Sequence, residues 1–149
     1  MELSDEFTES NEDFAILLSS EPSSNFLKLA AKSNNLSLMP VISAGYPGDV
    51  LATINELGQN GEGLLGDGIP LFLTNGVINA VQKFKDQGAI LLHSADISQG
   101  NSGGPLLNAC GEVLGVNTFT RSDDVRTLNI ALRADGLVGF LNRFGFAIK

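Results

Sequence analysis

The chain has very little of several residue types that would define its class. Its 149 residues include no tryptophan, one cysteine, one histidine and one tyrosine. Since Cys110 stands alone, the fold contains no internal disulfide. One cysteine and one histidine also make no ligand cluster for a metal ion. We therefore expect neither a metal site nor a cofactor.

Long apolar runs and secretory features are missing as well. No apolar run approaches the roughly 18 residues that a membrane helix needs, so we expect a soluble protein without membrane contacts. Residues 1–30 lack the basic start, apolar core and small-residue cleavage site of a signal peptide, which leaves the compartment open. Yet 43% of the residues are apolar, which is enough to bury a core and excludes a disordered chain.

Basic residues are scarce and unevenly placed. Residues 1–13 hold six acidic residues and no basic one, whereas the remaining 136 residues hold 11 acidic and 9 basic residues. The body of the chain is therefore nearly neutral. It lacks the basic stripe that nucleic acid binding requires, so nucleic acid is excluded as a partner. The oligomeric state stays open.

Short apolar runs separated by turn residues predict a β protein. Glycine-rich and serine-rich stretches divide the runs, which is typical of strands and tight turns. Only the end of the chain has helical spacing, with Leu137, Phe140, Leu141 and Phe144 at i, i+3, i+4 and i+7. We predict an all-β barrel or sandwich with one C-terminal helix. The predicted strands are residues 14–18, 25–31, 38–44, 71–81, 89–94, 104–107, 113–119 and 128–132.

The segment that carries chemistry reads Ser-Gln-Gly-Asn-Ser-Gly-Gly-Pro-Leu-Leu at 98–107. A serine hydroxyl becomes a useful nucleophile only beside a base and beside donors for the developing oxyanion. Glycines around Ser102 let the backbone turn sharply, so that the N–H groups of Gly100 and Ser102 can face one oxyanion. A lone Gly-x-Ser-Gly would indicate no more than a turn, but the run Gly-Asn-Ser-Gly-Gly-Pro is far more specific.

The stretches at 95–108 and 111–118 resemble the nucleophile loop and following hairpin of the trypsin-like serine peptidases. The pattern is most similar to the bacterial heat-shock (high-temperature-requirement) proteases. Weaker similarity extends over residues 12–144. Glu-Asp-Phe-Ala-Ile-Leu at 12–17 resembles the strand that carries the triad aspartate. Ser-Ala-Gly-Tyr-Pro-Gly at 43–48 resembles the family's Gly-x-Pro turn.

The resemblance implies a chymotrypsin-like fold of two β-barrels and an endopeptidase that forms an acyl-enzyme. Ser102 would be the nucleophile, and Asp13 the carboxylate that orients the catalytic histidine. The oxyanion hole would lie at Gly100, Asn101 and Ser102, with the amides of Gly100 and Ser102 as its donors. A protein or peptide substrate would lie extended along the strand at 116–119, with Val116, Asn117 and Thr118 as binding residues.

The chain departs from this family at the catalytic histidine. The triad needs a histidine that accepts the serine proton, and in this family it precedes the aspartate. The one histidine here is His93, nine residues before Ser102 on a predicted strand, and a structural role is the favoured interpretation for it. We therefore expect a chain that lacks the start of its first barrel. Residues 1–50 would be the remnant of the N-terminal barrel, and residues 51–149 would form the complete C-terminal barrel with the terminal helix.

Two further interpretations stay open. Asp96 lies six residues before Ser102, where a buried carboxylate would favour lysine or arginine substrates; the alternative is an aspartate that hydrogen-bonds within its own loop. A chain without its histidine could also be an inactive pseudo-peptidase that binds extended peptides through the same strand. If Met1 is the true start, we expect an inactive product.

Overall fold

A computed structural model describes residues 13–21, 23–32, 35–58, 70–84, 88–122 and 127–146. These residues contain six strands and two helices. The strands are β1 (Pro40–Gly45), β2 (Phe72–Phe84), β3 (Gly88–His93), β4 (Pro105–Leu107), β5 (Val113–Ser122) and β6 (Thr127–Arg133). The helices are α1 (Gly48–Gly58) and α2 (Ala134–Arg143).

The six strands form one closed barrel in the order β1-β2-β3-β6-β5-β4. Every neighbouring pair is antiparallel, and β1 closes the barrel because it pairs with β2 on one side and with β4 on the other. Closure gives every strand a backbone partner on both sides over at least part of its length. The predicted β-barrel with a short C-terminal helix is thereby confirmed.

Side chains that alternate along the strands fill the barrel interior. Ile78 of β2, Leu91 of β3, Leu106 of β4 and Ala131 of β6 have no exposed surface. Because successive side chains of a strand point to opposite faces, each strand contributes every second residue to this interior. The buried core consists of Leu36, Val41, Ile78, Leu91, Ala95, Leu106, Leu114 and Ala131.

The strand predictions hold where the barrel provides a partner. The six predicted strands from residue 38 onward each overlap one of β1 to β6. Residues 14–18 and 25–31 form no strand, apart from an isolated parallel bridge between Leu29 and Val113. Their side chains point in part to open solvent, and Leu17 is 95% exposed. An apolar run becomes a strand only when another strand lies beside it to accept its hydrogen bonds.

Helix α1 was not predicted. The sequence Gly-Tyr-Pro-Gly-Asp at 45–49 indicates a turn, yet the helix begins at Gly48 with Asp49 in its first turn. An acidic residue suits that position because it faces the positive end of the helix dipole. The missed signal was the apolar spacing of Val50, Ile54 and Leu57, which falls on one helical face.

The predicted boundary after residue 50 does not coincide with the barrel. Strand β1 lies before that boundary, yet it is hydrogen-bonded to β2 and β4 and completes the closed sheet. The barrel therefore begins at Pro40 rather than after residue 50.

The segment before β1 contacts the barrel and α2 at several points. The Ala30 amide donates to the Val113 carbonyl (2.9 Å), and the Val113 amide donates to the Lys28 carbonyl (2.8 Å). Farther upstream, the Phe14 ring packs against Phe140 of α2 with centroids 5.6 Å apart. These contacts hold Asp13 on the same side of the barrel as β5 and α2. Neither described helix is long and apolar enough to cross a membrane.

Candidate active site

Ser102 lies on the loop between β3 and β4, and two successive turns shape its surroundings. The Asn101 amide donates to the Ser98 carbonyl (3.0 Å), and the Gly104 amide donates to the Asn101 carbonyl (3.0 Å). The Ser102 side chain stands exposed between these turns. A further hydrogen bond from the Gly48 amide to the Gln99 carbonyl (2.8 Å) ties the loop to the start of α1.

Two glycines are required for this loop conformation. Gly100 has φ of +103°, a region that favours glycine, and a Cβ there would overlap the Tyr46 carbonyl oxygen. Gly104 has an ordinary φ, but a Cβ on it would overlap the Ala44 carbonyl oxygen and lie 2.9 Å from the Asn101 carbonyl oxygen. The glycines of the motif therefore let the loop pack closely against β1 and the turn that comes after it.

Asn117 of β5 holds the loop from the other side. Its carbonyl accepts from the Gly103 amide (2.8 Å), and its amide donates to the Gly104 carbonyl (2.9 Å). Its buried side chain donates from Nδ2 to Ser43 Oγ on β1 (2.9 Å). Asn117 thus supports the nucleophile loop. Its backbone is hydrogen-bonded to the loop and its side chain is buried, and its predicted role in substrate binding stays a prediction.

Val116 is likewise enclosed. It pairs with Pro105 of β4 and with Leu132 of β6, so β5 has a neighbour on both sides at this residue. Both strand edges of Val116 therefore have a neighbour in the barrel, and its predicted contact with substrate stays a prediction. On the β4 side, no described strand pairs with β5 beyond Val116, because β4 does not extend that far.

Thr118 brings the predicted nucleophile and the predicted aspartate together. A β-bulge interrupts the pairing of β5 with β6 between Asn117 and Phe119, and Thr118 occupies it. The Ser102 hydroxyl donates to the Thr118 carbonyl (2.5 Å), while the Thr118 hydroxyl donates to Asp13 Oδ2 (2.9 Å). Bulges often change the direction of side chains beside active sites. At this bulge, the carbonyl of Thr118 faces Ser102 and its hydroxyl faces Asp13.

The donors predicted for an oxyanion are available. Within the described part of the chain, the amides of Gly100 and Ser102 donate to no acceptor. The amide of Asn101 between them is already bonded to Ser98. Two amides without an acceptor among the described residues therefore stand on either side of a bonded one.

No hydrogen bond joins His93 to Ser102 within the described part of the chain. His93 is 1% exposed on the inner face of β3, opposite Ile78 and Asn129 in the strand register. Among the described residues, neither of its ring nitrogens makes a well-formed hydrogen bond. Burial lowers the pKa of His93 below its usual 6.5, and the nearby Ala95 backbone opposes only part of this effect. A buried neutral imidazole in the barrel interior fits the structural role.

This burial makes stability depend on pH. The pKa of His93 is lower in the folded chain than in the unfolded chain. The free energy of unfolding therefore has its full value above pH 6.5 and decreases as the pH drops toward the folded pKa. Each unit of lowering corresponds to about 1.4 kcal/mol. We expect urea unfolding midpoints to decrease between pH 8 and pH 5.5, and His93→Gln to remove most of that slope. An equal slope in both proteins would contradict this assignment.

Asp96 is exposed, whereas selection of lysine or arginine substrates was predicted for a buried carboxylate at this position. Its carbonyl accepts from Thr74 Oγ1 (2.6 Å). It lines a cavity of about 180 Å³ on the β1 and β2 side of the loop, which neither Ser102 nor any residue of β5 lines. The structure therefore does not place Asp96 in one pocket with Ser102 and Thr118.

Ser43 and the positioning role of Asn117 were missed from the sequence. The hydrogen bond between Asn117 and Ser43 joins residues 74 positions apart, and no local sequence pattern predicts such a contact. By contrast, Asp13 and Ser102 were named from motifs alone, and the structure brings both to Thr118.

Comparison with known proteins agrees with this geometry. Residues 4–116 match the trypsin-like peptidase domain. Serine endoprotease DegS of Haemophilus influenzae is 30% identical over 135 residues, which cover 81% of this chain and 36% of DegS. Serine protease Do-like HtrB of Bacillus subtilis is 35% identical over 88 residues, which cover 56% of this chain and 18% of HtrB. The chain thus spans well under half the length of these relatives.

Solved structures show the same fold. An inactive form of Rv3671c from M. tuberculosis superposes with a TM-score of 0.57 at 26% identity, over 80% of this chain and 53% of that one. The HtrA-type protease AlgW, solved with a decapeptide, gives a TM-score of 0.56 at 20% identity, over 78% of this chain and 32% of that one. The latter supports the chymotrypsin-like fold alone. With three quarters of its length matched to that domain and HtrA-type proteases among its relatives, the chain belongs to the trypsin-like serine peptidases.

Proposed function

We propose that this chain carries the nucleophile, oxyanion donors and aspartate of a serine endopeptidase. One observation carries the proposal: Ser102 and Asp13, 89 residues apart in sequence, hydrogen-bond to the same residue, Thr118. A histidine that lay between the hydroxyl and the carboxylate would complete the triad, since its two ring nitrogens must face those two groups.

The chemistry would proceed by acyl transfer. Ser102 Oγ would attack the scissile carbonyl, and the amides of Gly100 and Ser102 would stabilise the oxyanion that forms. The histidine would take the serine proton and pass it to the leaving amine, after which water would hydrolyse the acyl-enzyme. Asp13 would hold that histidine in its correct tautomer.

The general base is the one group that these 149 residues do not supply at the site. Their single histidine is buried in the barrel, and the Ser102 hydroxyl donates instead to a backbone carbonyl, which cannot take its proton. We propose that the histidine comes from polypeptide outside these residues. Without it, the hydroxyl stays a weak nucleophile.

Substrate would bind as an extended peptide beside the free edge of β5, from Thr118 onward. Backbone hydrogen bonds to such an edge recognise a peptide largely independently of its sequence. The named relatives are serine proteases, and AlgW was solved with a decapeptide, which supports a protein or peptide substrate here. The same edge also supports the second candidate, a module that binds peptides without cleaving them, and the burial of His93 favours it for the chain alone.

Free imidazole tests the proposal directly, because it can act as a mobile base in place of the missing side chain. The chain would be treated with a fluorophosphonate probe at pH 8 in a series of imidazole concentrations from zero to about 100 mM. We expect labelling to increase at least tenfold, with the adduct mapped by mass spectrometry to the peptide that contains Ser102.

The two candidates predict different results. An imidazole-dependent adduct at Ser102 supports an assembled acyl-transfer site. No labelling at any imidazole concentration, together with retention of an extended peptide, would leave the binding module as the function. Labelling spread over several exposed serines would contradict both the site and the peptidase proposal.

A further inference from the structure

A cavity of about 410 Å³ lies where the end of β2 and the start of β3 meet the start of α2. Three of the nine basic residues of the chain line it, Lys32, Lys83 and Arg133. Asp135 is the one acidic residue among its described lining residues. The formal charge around this basic cavity is therefore positive, although the chain as a whole carries −8. A concave surface of one sign of charge attracts ligands of the opposite sign.

The cationic groups at the basic cavity outnumber the carboxylate that faces them. Lys32 Nζ lies 3.8 Å from Asp135 Oδ2, and Arg133 Nε lies 3.4 Å from Asp135 Oδ1. Lys83 is exposed and has no ion pair among the residues that the structure describes. The Arg133 side chain is only 6% exposed, so water screens its charge weakly. Further carboxylates placed at this cavity would therefore stabilise the folded chain.

Gly136 connects the basic cavity with the start of the described chain. It lines the cavity and lies in the first turn of α2. A Cβ added at Gly136 would lie 3.7 Å and 3.8 Å from two atoms of the Phe14 ring. The same ring is held by Phe140, with centroids 5.6 Å apart. Since Asp13 precedes Phe14, the polypeptide upstream of Asp13 begins close to the basic cavity.

The sequence upstream of Asp13 is strongly acidic. This acidic segment, residues 2–12, lies outside the described residues and contains no basic residue. Its five acidic residues are Glu2, Asp5, Glu6, Glu9 and Glu12. An extended chain spans about 3.3 Å per residue, so the three acidic residues nearest to Asp13 are within roughly 25 Å of it. Both the charge and the reach of the acidic segment therefore suit the basic cavity.

We propose that the basic cavity binds carboxylates of the acidic segment, and that this contact helps to hold Asp13 at its hydrogen bond with Thr118. Lys83 would pair first with the segment, because its exposed ammonium offers three donors. An isolated surface ion pair contributes little, but several charges that meet at one cavity form a network. The contact does not depend on the chemistry of Ser102, so it stands apart from the proposed peptidase function.

A double-mutant cycle on the full 149-residue chain tests this contact. One change is Lys83→Glu, and the other is an amide variant of the acidic segment with E2Q, D5N, E6Q, E9Q and E12Q. Urea unfolding at low salt measures the equilibrium constant for folding of all four proteins. We expect Lys83→Glu to lower this constant about threefold to tenfold in the parent chain and less than about twofold in the amide variant, where the partner charges are absent. About 1 M sodium chloride should remove most of this difference.

Lys28→Glu is the matched control. Lys28 is also an exposed lysine, but it does not line the basic cavity. Its replacement should change the folding constant by the same factor in the parent chain and in the amide variant. This comparison separates a contact at the cavity from the general effect of the negative net charge.

NMR locates the contact on the parent chain. The amide resonances of Gly88, Ala89 and Gly136, which line the basic cavity, should shift in the amide variant, whereas the Gly76 amide on the earlier part of β2 should not. Added inorganic phosphate should move the three cavity amides at lower concentration in the amide variant than in the parent chain, because the segment no longer competes. Equal effects of Lys83→Glu in both chains, equal coupling for Lys28→Glu, unshifted cavity amides, or equal phosphate affinity would overturn the proposal.

Discussion

Replacement of Ser102 by alanine is expected to reduce imidazole-dependent fluorophosphonate labelling to background. The probe reacts with an activated hydroxyl. Within the described residues, Ser102 has two amides without an acceptor, its own and that of Gly100, and a carboxylate linked to it through Thr118. Removing Oγ also deletes the hydrogen bond to the Thr118 carbonyl. The loop should nevertheless keep its shape, because its backbone is held by Ser98, Asn101 and Asn117.

The matched control and a second substitution sharpen this result. Ser20→Ala removes an exposed serine far along the chain from the loop and should leave labelling within about twofold. Asp13→Asn should lower the imidazole-dependent rate roughly tenfold, because the carboxylate would no longer orient and stabilise the imidazolium. The rates would be measured by intact mass spectrometry over time. Persistent labelling of the alanine variant would place the reactive serine elsewhere.

Gly104→Ala is expected to damage both stability and the site. A Cβ there overlaps the Ala44 carbonyl oxygen and lies 2.9 Å from the Asn101 carbonyl oxygen, and neither is the end of a flexible side chain. The backbone of β1 or of the nucleophile loop must therefore shift. We expect a loss of about 1–3 kcal/mol in the free energy of unfolding and at least a tenfold loss of Ser102 labelling.

Gly139→Ala is the corresponding control. Gly139 lies inside α2, and nothing stands within 4 Å of the position that its Cβ would take. Alanine should stabilise the helix by about 0.5–1 kcal/mol, because it restricts the unfolded chain more than glycine does. Urea unfolding measures both variants. If Gly104→Ala were as stable as the parent chain, the close approach of the loop to β1 could not be what requires glycine at 104.

The strands from residue 38 onward and the C-terminal helix could be predicted because their information is local. Alternating apolar residues mark a half-buried strand, and spacing of three and four marks a helical face. Residues 14–18 carry a similar apolar run but form no strand, since strand formation needs a partner. Helix α1 was missed because proline and glycine at 47 and 48 indicate a turn, although both also occur where helices begin.

The active-site predictions also divide into those that depend on neighbouring residues and those that depend on distant parts of the chain. Ser102 and its glycines could be named from a short motif whose chemistry depends on adjacent residues. The predicted substrate contacts of Val116 and Asn117 stay predictions, and the sequence could not show that both residues have neighbours in the barrel, because that depends on which strands lie beside β5. Asp96 could be placed near the loop from spacing, but its distance from Ser102 and β5 depends on how the loop folds against β1.

The family and the all-β class could be inferred from the order of the amino acids, and the nucleophile could be predicted from it, because motifs and apolar periodicity are properties of neighbouring residues. Three other features required the folded chain: β1 closes the barrel, Thr118 links Ser102 to Asp13, and His93 is enclosed in the interior. Each of these depends on contacts between residues far apart in the chain. Such contacts form only when the strands pair and pack, and no local pattern encodes which distant group will stand opposite.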